Sequence, residues 1–273
     1  MKKRVNFFLF LVVVATVGLG GWWMYRTSWR GDDFLIMEIV DSGVTLINIS
    51  PARGMINNLE IIGEVNLWIP NGMGFYPASK LKLILEQESN QPNLGKMTAF
   101  YNFGFWPNRV ETGGDWQTNQ WLWENLGPLG WFRFRLQADN WLQKKEILYR
   151  QLPLEKESLE EIMSRDMAEN GIIDKNIRVA VVNASGKNGF GNMVADRLGW
   201  WGMMVTAVDT EEESDECQIR YNGKVPAEKE ISLKLGNILS CQLRENEGGE
   251  MEVVLGRGIE RMVKYSETYV RTF

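Results

Sequence analysis

RVAVVNASGKNGFGNMVADRLGWWGMMVTAV, Arg178 to Val208, carries the clearest structural signal in the chain. Arg178–Asn183 reads as a buried-type strand, with four apolar residues between polar ends. Asn183–Gly191 (NASGKNGFG) is a glycine-rich loop. Gly189–Trp201 follows as a helix, with Asn188 as its expected cap and Phe190, Met193, Val194, Leu198 and Trp201 on one face. Gly202 ends that helix, and Met203–Val208 is a second strand.

Reading onward, the acidic run Asp209–Glu216 is a solvated loop and Cys217–Tyr221 a third strand. Pro226 opens a second helix at its first position, with Ala227, Ile231 and Leu235 inward and Gly236 closing it. Ile238–Arg244 and Met251–Leu255 are the last strands. The order is βαββαββ, so residues 178–258 are expected to form a two-layer α/β (α+β) sandwich, followed by a tail, 259–273.

Reading backward, residues 151–177 form a helical connector. Ser158 and Glu161 have the spacing of a capping box, and Leu159, Ile162, Met163 and Met167 recur at helical spacing. Asn170-Gly171 is the expected stop. Residues 31–150 read as strand-rich and aromatic. Phe34–Val40 and Val44–Ile49 flank Asp41-Ser42-Gly43, a hairpin signal. Asn58–Ile62 and Val65–Ile69 are two more short strands, Pro70-Asn71-Gly72 a turn, and Ala78–Gln87 a short helix. From Phe100 to Trp141 aromatic residues crowd the chain.

The N-terminus bears on the compartment. Phe7 to Tyr25 is free of charge and, as a helix, spans roughly 28 Å, close to the apolar thickness of a bilayer. Residues 1–6, with Lys2, Lys3 and Arg4, are expected to stay in the cytoplasm. Trp22, Trp23 and Tyr25 suit the outer interface. No A-x-A cleavage pattern follows, so the segment is expected to be a transmembrane signal-anchor with an extracytoplasmic body.

Composition narrows the chemistry. Of the formal net charge of -5, residues 1–30 contribute five cations and no acid, so the remainder carries -10. Such a body is unsuited to nucleic acid, which needs a basic face. The chain has no histidine, which removes histidine triads and histidine-ligated zinc. Two cysteines, Cys217 and Cys241, cannot make a four-cysteine site. They lie on two expected strands. Two free or buried thiols is the preferred reading, with a disulfide chemically allowed.

The ordered set Val182-Asn183, Gly186, Gly189, Ala195, Leu198, Gly202 and Val205, closed by EVVLGRG at Glu252–Gly258, resembles the LytR C-terminal domain, a small bacterial envelope module. That resemblance covers about 80 residues. It implies a place after a LytR-CpsA-Psr domain on an N-terminal anchor, in proteins that transfer glycopolymers to the cell wall. Residues 34–85 look faintly like the start of such a domain. Its Arg-Asp pair is missing: Gly63-Glu64 stands at the corresponding place, and Arg53 is off register. No catalytic residue is carried over.

Asn183, Ser185, Gly186, Asn188 and Gly189 form the candidate binding loop, since a helix N-terminus can hold an anion. Lys187 is not followed by Ser or Thr, so this is no P-loop, and a plain tight turn is the competing reading. Trp106, Trp116, Trp121, Trp123 and Trp131 form a candidate aromatic platform for sugar rings, against the reading that they are core. No cofactor and no metal site is expected. Three functions remain open: a non-catalytic envelope protein binding a cell-wall glycopolymer or envelope protein, a divergent glycopolymer phosphotransferase using Arg53, Arg109, Arg133 and Arg135, and a glycan-binding module.

Overall fold

The computed structural model describes residues 33–50, 55–113 and 156–257, with Gly18 and Glu124 as isolated positions. The fold is mixed α/β. Apart from Gly18, the expected anchor Phe7–Tyr25 lies outside the described residues, as does the tail 259–273. Among the described residues no helix is long and apolar enough to cross a membrane.

The first sheet is built from β1 (Phe34–Val40), β2 (Gly43–Ser50), β3 (Met55–Ile62) and β6 (Arg109–Thr112), in the order β3-β2-β1-β6. β1 and β2 are antiparallel across the Asp41-Ser42 turn, and β6 returns parallel to β1. Among the described residues β4 (Asn66–Ile69) and β5 (Gly74–Pro77) pair only with each other, around the expected turn. A 3-10 turn, Ala78–Lys80, leads into α1 (Leu81–Gln87).

α2 (Leu94–Phe103) was not evident in the sequence. Nine of its ten residues are buried, so it has no polar face to mark a helical period. Gly104 closes it in the left-handed region at φ 62°. A Cβ at Gly104 would lie 2.5 Å from the Arg197 carbonyl oxygen, so glycine also permits a close backbone approach.

α3 (Lys156–Ile162) already includes Ser158, so Ser158 does not start it as a capping box requires. The helix continues as a π turn, Met163–Met167, and stops at the extended Ala168. Asn170-Gly171 is not the stop; it opens the short α4 (Asn170–Ile173). The freed carbonyls at the end of α3 have partners. Asn48 Nδ2 donates to those of Asp166 and Ala168, and Asn57 Nδ2 donates to that of Asp166. Asp33, at the head of β1, accepts from the Asn170 backbone N–H at 2.6 Å and from its side chain at 3.0 Å.

The second sheet holds β7 (Arg178–Ala184), β8 (Met204–Thr210), β9 (Gln218–Asn222), β10 (Gln242–Asn246) and β11 (Met251–Gly256), in the order β10-β9-β11-β7-β8. β7, β8 and β11 run parallel, with β9 antiparallel to β11. α5 (Phe190–Trp201) and α6 (Pro226–Leu239) join the same apolar core as the inward residues of β7, β9 and β11. This is the expected βαββαββ order. Several boundaries differ. α6 runs through Gly236 and ends at Ser240, at φ 50°, because Ile238 and Leu239 are still needed in the core. β10 accordingly starts at Gln242, not Ile238. α5 is preceded by Gly189 in the left-handed region with no side-chain cap, so Asn188 is not its cap.

Of the described residues, 33–49, 56–113 and 156–257 cluster as one compact unit. Its two cores share a wall. Met97, Phe100 and Tyr101 of α2 enter the core of the second sheet, while Leu94, Ala99 and Phe103 enter that of the first. α5 divides in the same way: Trp201 belongs to the second core and Trp200 to the first.

Candidate functional site

β7 delivers the chain to the glycine loop, and α5 carries it away. Between them the polar atoms satisfy one another. Asn183 Oδ1 accepts from the Ser185 hydroxyl at 2.6 Å and from the Ser185 N–H at 3.3 Å. Asn183 Nδ2 donates to the Lys187 carbonyl at 2.8 Å. The Lys187 N–H donates to Ser185 Oγ at 3.2 Å. Asn183 and Ser185 are buried, whereas Gly186, Lys187 and Asn188 are exposed. Gly186 and Gly189 take φ of 75° and 77°, which glycine adopts without strain.

The acidic run does not simply float in solvent. Asp209 and Thr210 belong to β8, and the chain then folds back over the end of the sheet. The Ser214 N–H donates to the Ala184 carbonyl at 2.8 Å, and the Arg257 N–H to the Ser214 carbonyl at 2.7 Å. Arg257 also pairs with Glu213 at 3.5 Å and Asp215 at 3.2 Å. A Cβ on Gly256 would lie 2.3 Å from the Glu216 carbonyl oxygen, and one on Gly186 would lie 2.5 Å from a Glu213 carboxylate oxygen. Glu213 therefore lays negative charge against the glycine loop, which disfavours an anion there. The loop has the properties of a tight strand-to-helix turn. Its sequence signal does not reveal Glu213, which is 27 residues downstream of Gly186.

Of the candidate platform, Trp106 alone is described. It is half-buried, packs at 6.5 Å against Phe100, and lies 5.9 Å beneath the Lys96 ammonium. Trp116, Trp121, Trp123 and Trp131 lie outside the described residues. So do Arg53, Arg133 and Arg135, while Arg109 is exposed on β6 and pairs with Glu111. Cys217 and Cys241, preferred as two thiols in the sequence reading, are joined in a disulfide with Cα atoms 4.7 Å apart. They immediately precede β9 and β10, whose register sets Gln218 opposite Gln242 and so brings the two cysteines together. Among the described residues no group of three metal-ligating side chains converges.

Residues 176–258, spanning this sheet and its two helices, match the family model described as LytR cell envelope-related transcriptional attenuator. The C-terminal third is a LytR C-terminal domain. The solution structure of the C-terminal domain of RV0431 aligns with 29% of this chain and 71% of its own, at 25% identity and a TM-score of 0.25. No curated protein matches the chain.

The LytR C-terminal domain is not hung on a free linker here. Arg197 of α5 is buried, donates to the Tyr101 carbonyl at 2.8 Å, and stacks 4.0 Å from the Trp200 ring centre. Phe100 meets Trp201 edge-on at 6.0 Å. Trp201 Nε1 donates to Glu169 at 3.0 Å, and Lys234 reaches the same carboxylate at 3.2 Å. Burial pushes the Tyr101 phenol above its ordinary value near 10. The unfolded chain releases that proton near pH 10 and the folded chain holds it. Stability contributed by Tyr101 is thus intact below about pH 10 and falls as the pH rises further. In urea titrations from pH 9 to 11, Tyr101→Phe should lose stability less steeply than the parent; identical slopes would refute this.

Proposed function

We propose that this is a membrane-held protein of the bacterial envelope, anchored by residues 7–25 with its body outside the cytoplasm. Its LytR C-terminal domain binds a cell-wall component or an envelope protein and performs no catalysis. The observation that carries the reading is the match of residues 176–258 to a cell-envelope family. The Cys217–Cys241 disulfide supports the compartment, because such bonds persist where the surroundings are oxidising. The charge-free run after Lys2, Lys3 and Arg4 supports the anchor and its orientation.

Two measurements test it. A C-terminal alkaline phosphatase fusion, active only when exported, should be active, and a cytoplasmic β-galactosidase fusion inactive. The full chain in detergent micelles should then sediment with isolated cell-wall sacculi. Export without sedimentation removes the wall as ligand and leaves a protein partner. An inactive phosphatase fusion overturns the compartment itself.

A further inference from the structure

The two edges of the C-terminal sheet are built differently. β10 has five residues, Gln242–Asn246, and carries both Arg244 and Glu245. Shortness and charge are the usual protections of an edge against pairing with another chain. β8 has seven residues, with no Lys, Arg or Pro and a single charge, Asp209. Met204 is 50% exposed and Val208 40%. Among the described residues β8 is bordered by β7 on one side and by no strand on the other. A register shift at Val179/Ala180 interrupts the ladder, but Ala207–Thr210 pair regularly beyond it.

Charge decides what kind of strand fits. Glu213 and Asp215 are taken by Arg257, and Glu216 accepts from Gln218 at 2.6 Å. Asp209, Glu211 and Glu212 are exposed and have no cationic partner among the described residues. They stand at one end of the free edge. A second copy of this chain would bring the same carboxylates, and the residues preceding its β8, Trp201–Met203, contain no cation.

We propose that the β8 edge receives an extended segment of a partner protein. That segment places β-branched or small apolar residues beside Met204–Val208 and Lys or Arg beside Asp209–Glu212. Backbone hydrogen bonds give the affinity, and the side chains give the specificity. The inference deepens the partner-binding reading above and rests on it.

The test is selection of displayed random peptides of about twelve residues, enough to span β8 at ~3.4 Å per residue, on the full chain in detergent micelles. Enriched peptides should alternate β-branched and polar residues and end in Lys or Arg. A synthetic copy of the most enriched should bind at least about tenfold more weakly to Val208→Lys and to Glu211→Lys/Glu212→Lys, with melting temperatures unchanged. No enrichment over empty micelles, enrichment without a basic end, or undiminished binding to both variants overturns the proposal. So does self-association of the full chain that Val208→Lys abolishes. Retention of the chain on sacculi alongside any of these failures leaves the broader reading standing and removes this one alone.

Discussion

Replacing Cys217 and Cys241 together by alanine should lower the unfolding free energy by about 3 to 4 kcal/mol. The bond closes a loop with a sequence separation of 24 that contains the whole of α6. In the unfolded chain it removes the freedom of those residues. In the folded chain it pins β10, an edge strand whose sheet partner among the described residues is β9 alone. Both cysteines lie in the core, each 8% exposed, so alanine also leaves small voids. Urea unfolding of the double variant beside the oxidised parent checks the value. A loss under about 1 kcal/mol would mean that packing of α6 secures the edge without the bridge.

Trp201→Ala should cost about 3 to 5 kcal/mol. The ring is 1% exposed, meets Phe100 edge-on, and donates its N–H to Glu169, which also holds Lys234. Removing it empties the wall between the two cores and leaves a carboxylate with one partner fewer. Trp201→Phe keeps much of the volume and loses the hydrogen bond, so it should cost about 1 to 2 kcal/mol. The parent should unfold in one transition by near-ultraviolet and by far-ultraviolet circular dichroism alike. Separate transitions for the two halves in the parent would refute the shared wall.

The βαββαββ order is legible because each of its elements has a polar face or a punctuating residue. Pro226 opens α6, Gly202 closes α5, and apolar runs mark β7 and β11. What escapes sequence reading involves contacts distant in the chain. α2 is buried on all sides, so its apolar residues show no period. Gly236 looks like a stop, but Leu243 lies against it and the helix continues to bury Ile238 and Leu239. Arg197 is not among the residues of the expected apolar face, yet it is buried, and its partner is a carbonyl 96 residues earlier in sequence. The glycine loop is visible as a loop. That Glu213 packs against it is not, because Glu213 comes from another turn.

The division of Trp200 and Trp201 between two cores has a mechanical consequence. A module tied by a flexible linker would drift with whatever it held, and strain would be absorbed in the linker. Here a pull on the second sheet passes through α5 into α2 and the first sheet without slack, and Asp33 fastens the head of β1 to the chain entering that module. The C-terminal third is therefore packed as one body with the first sheet, so a load on either is shared by both.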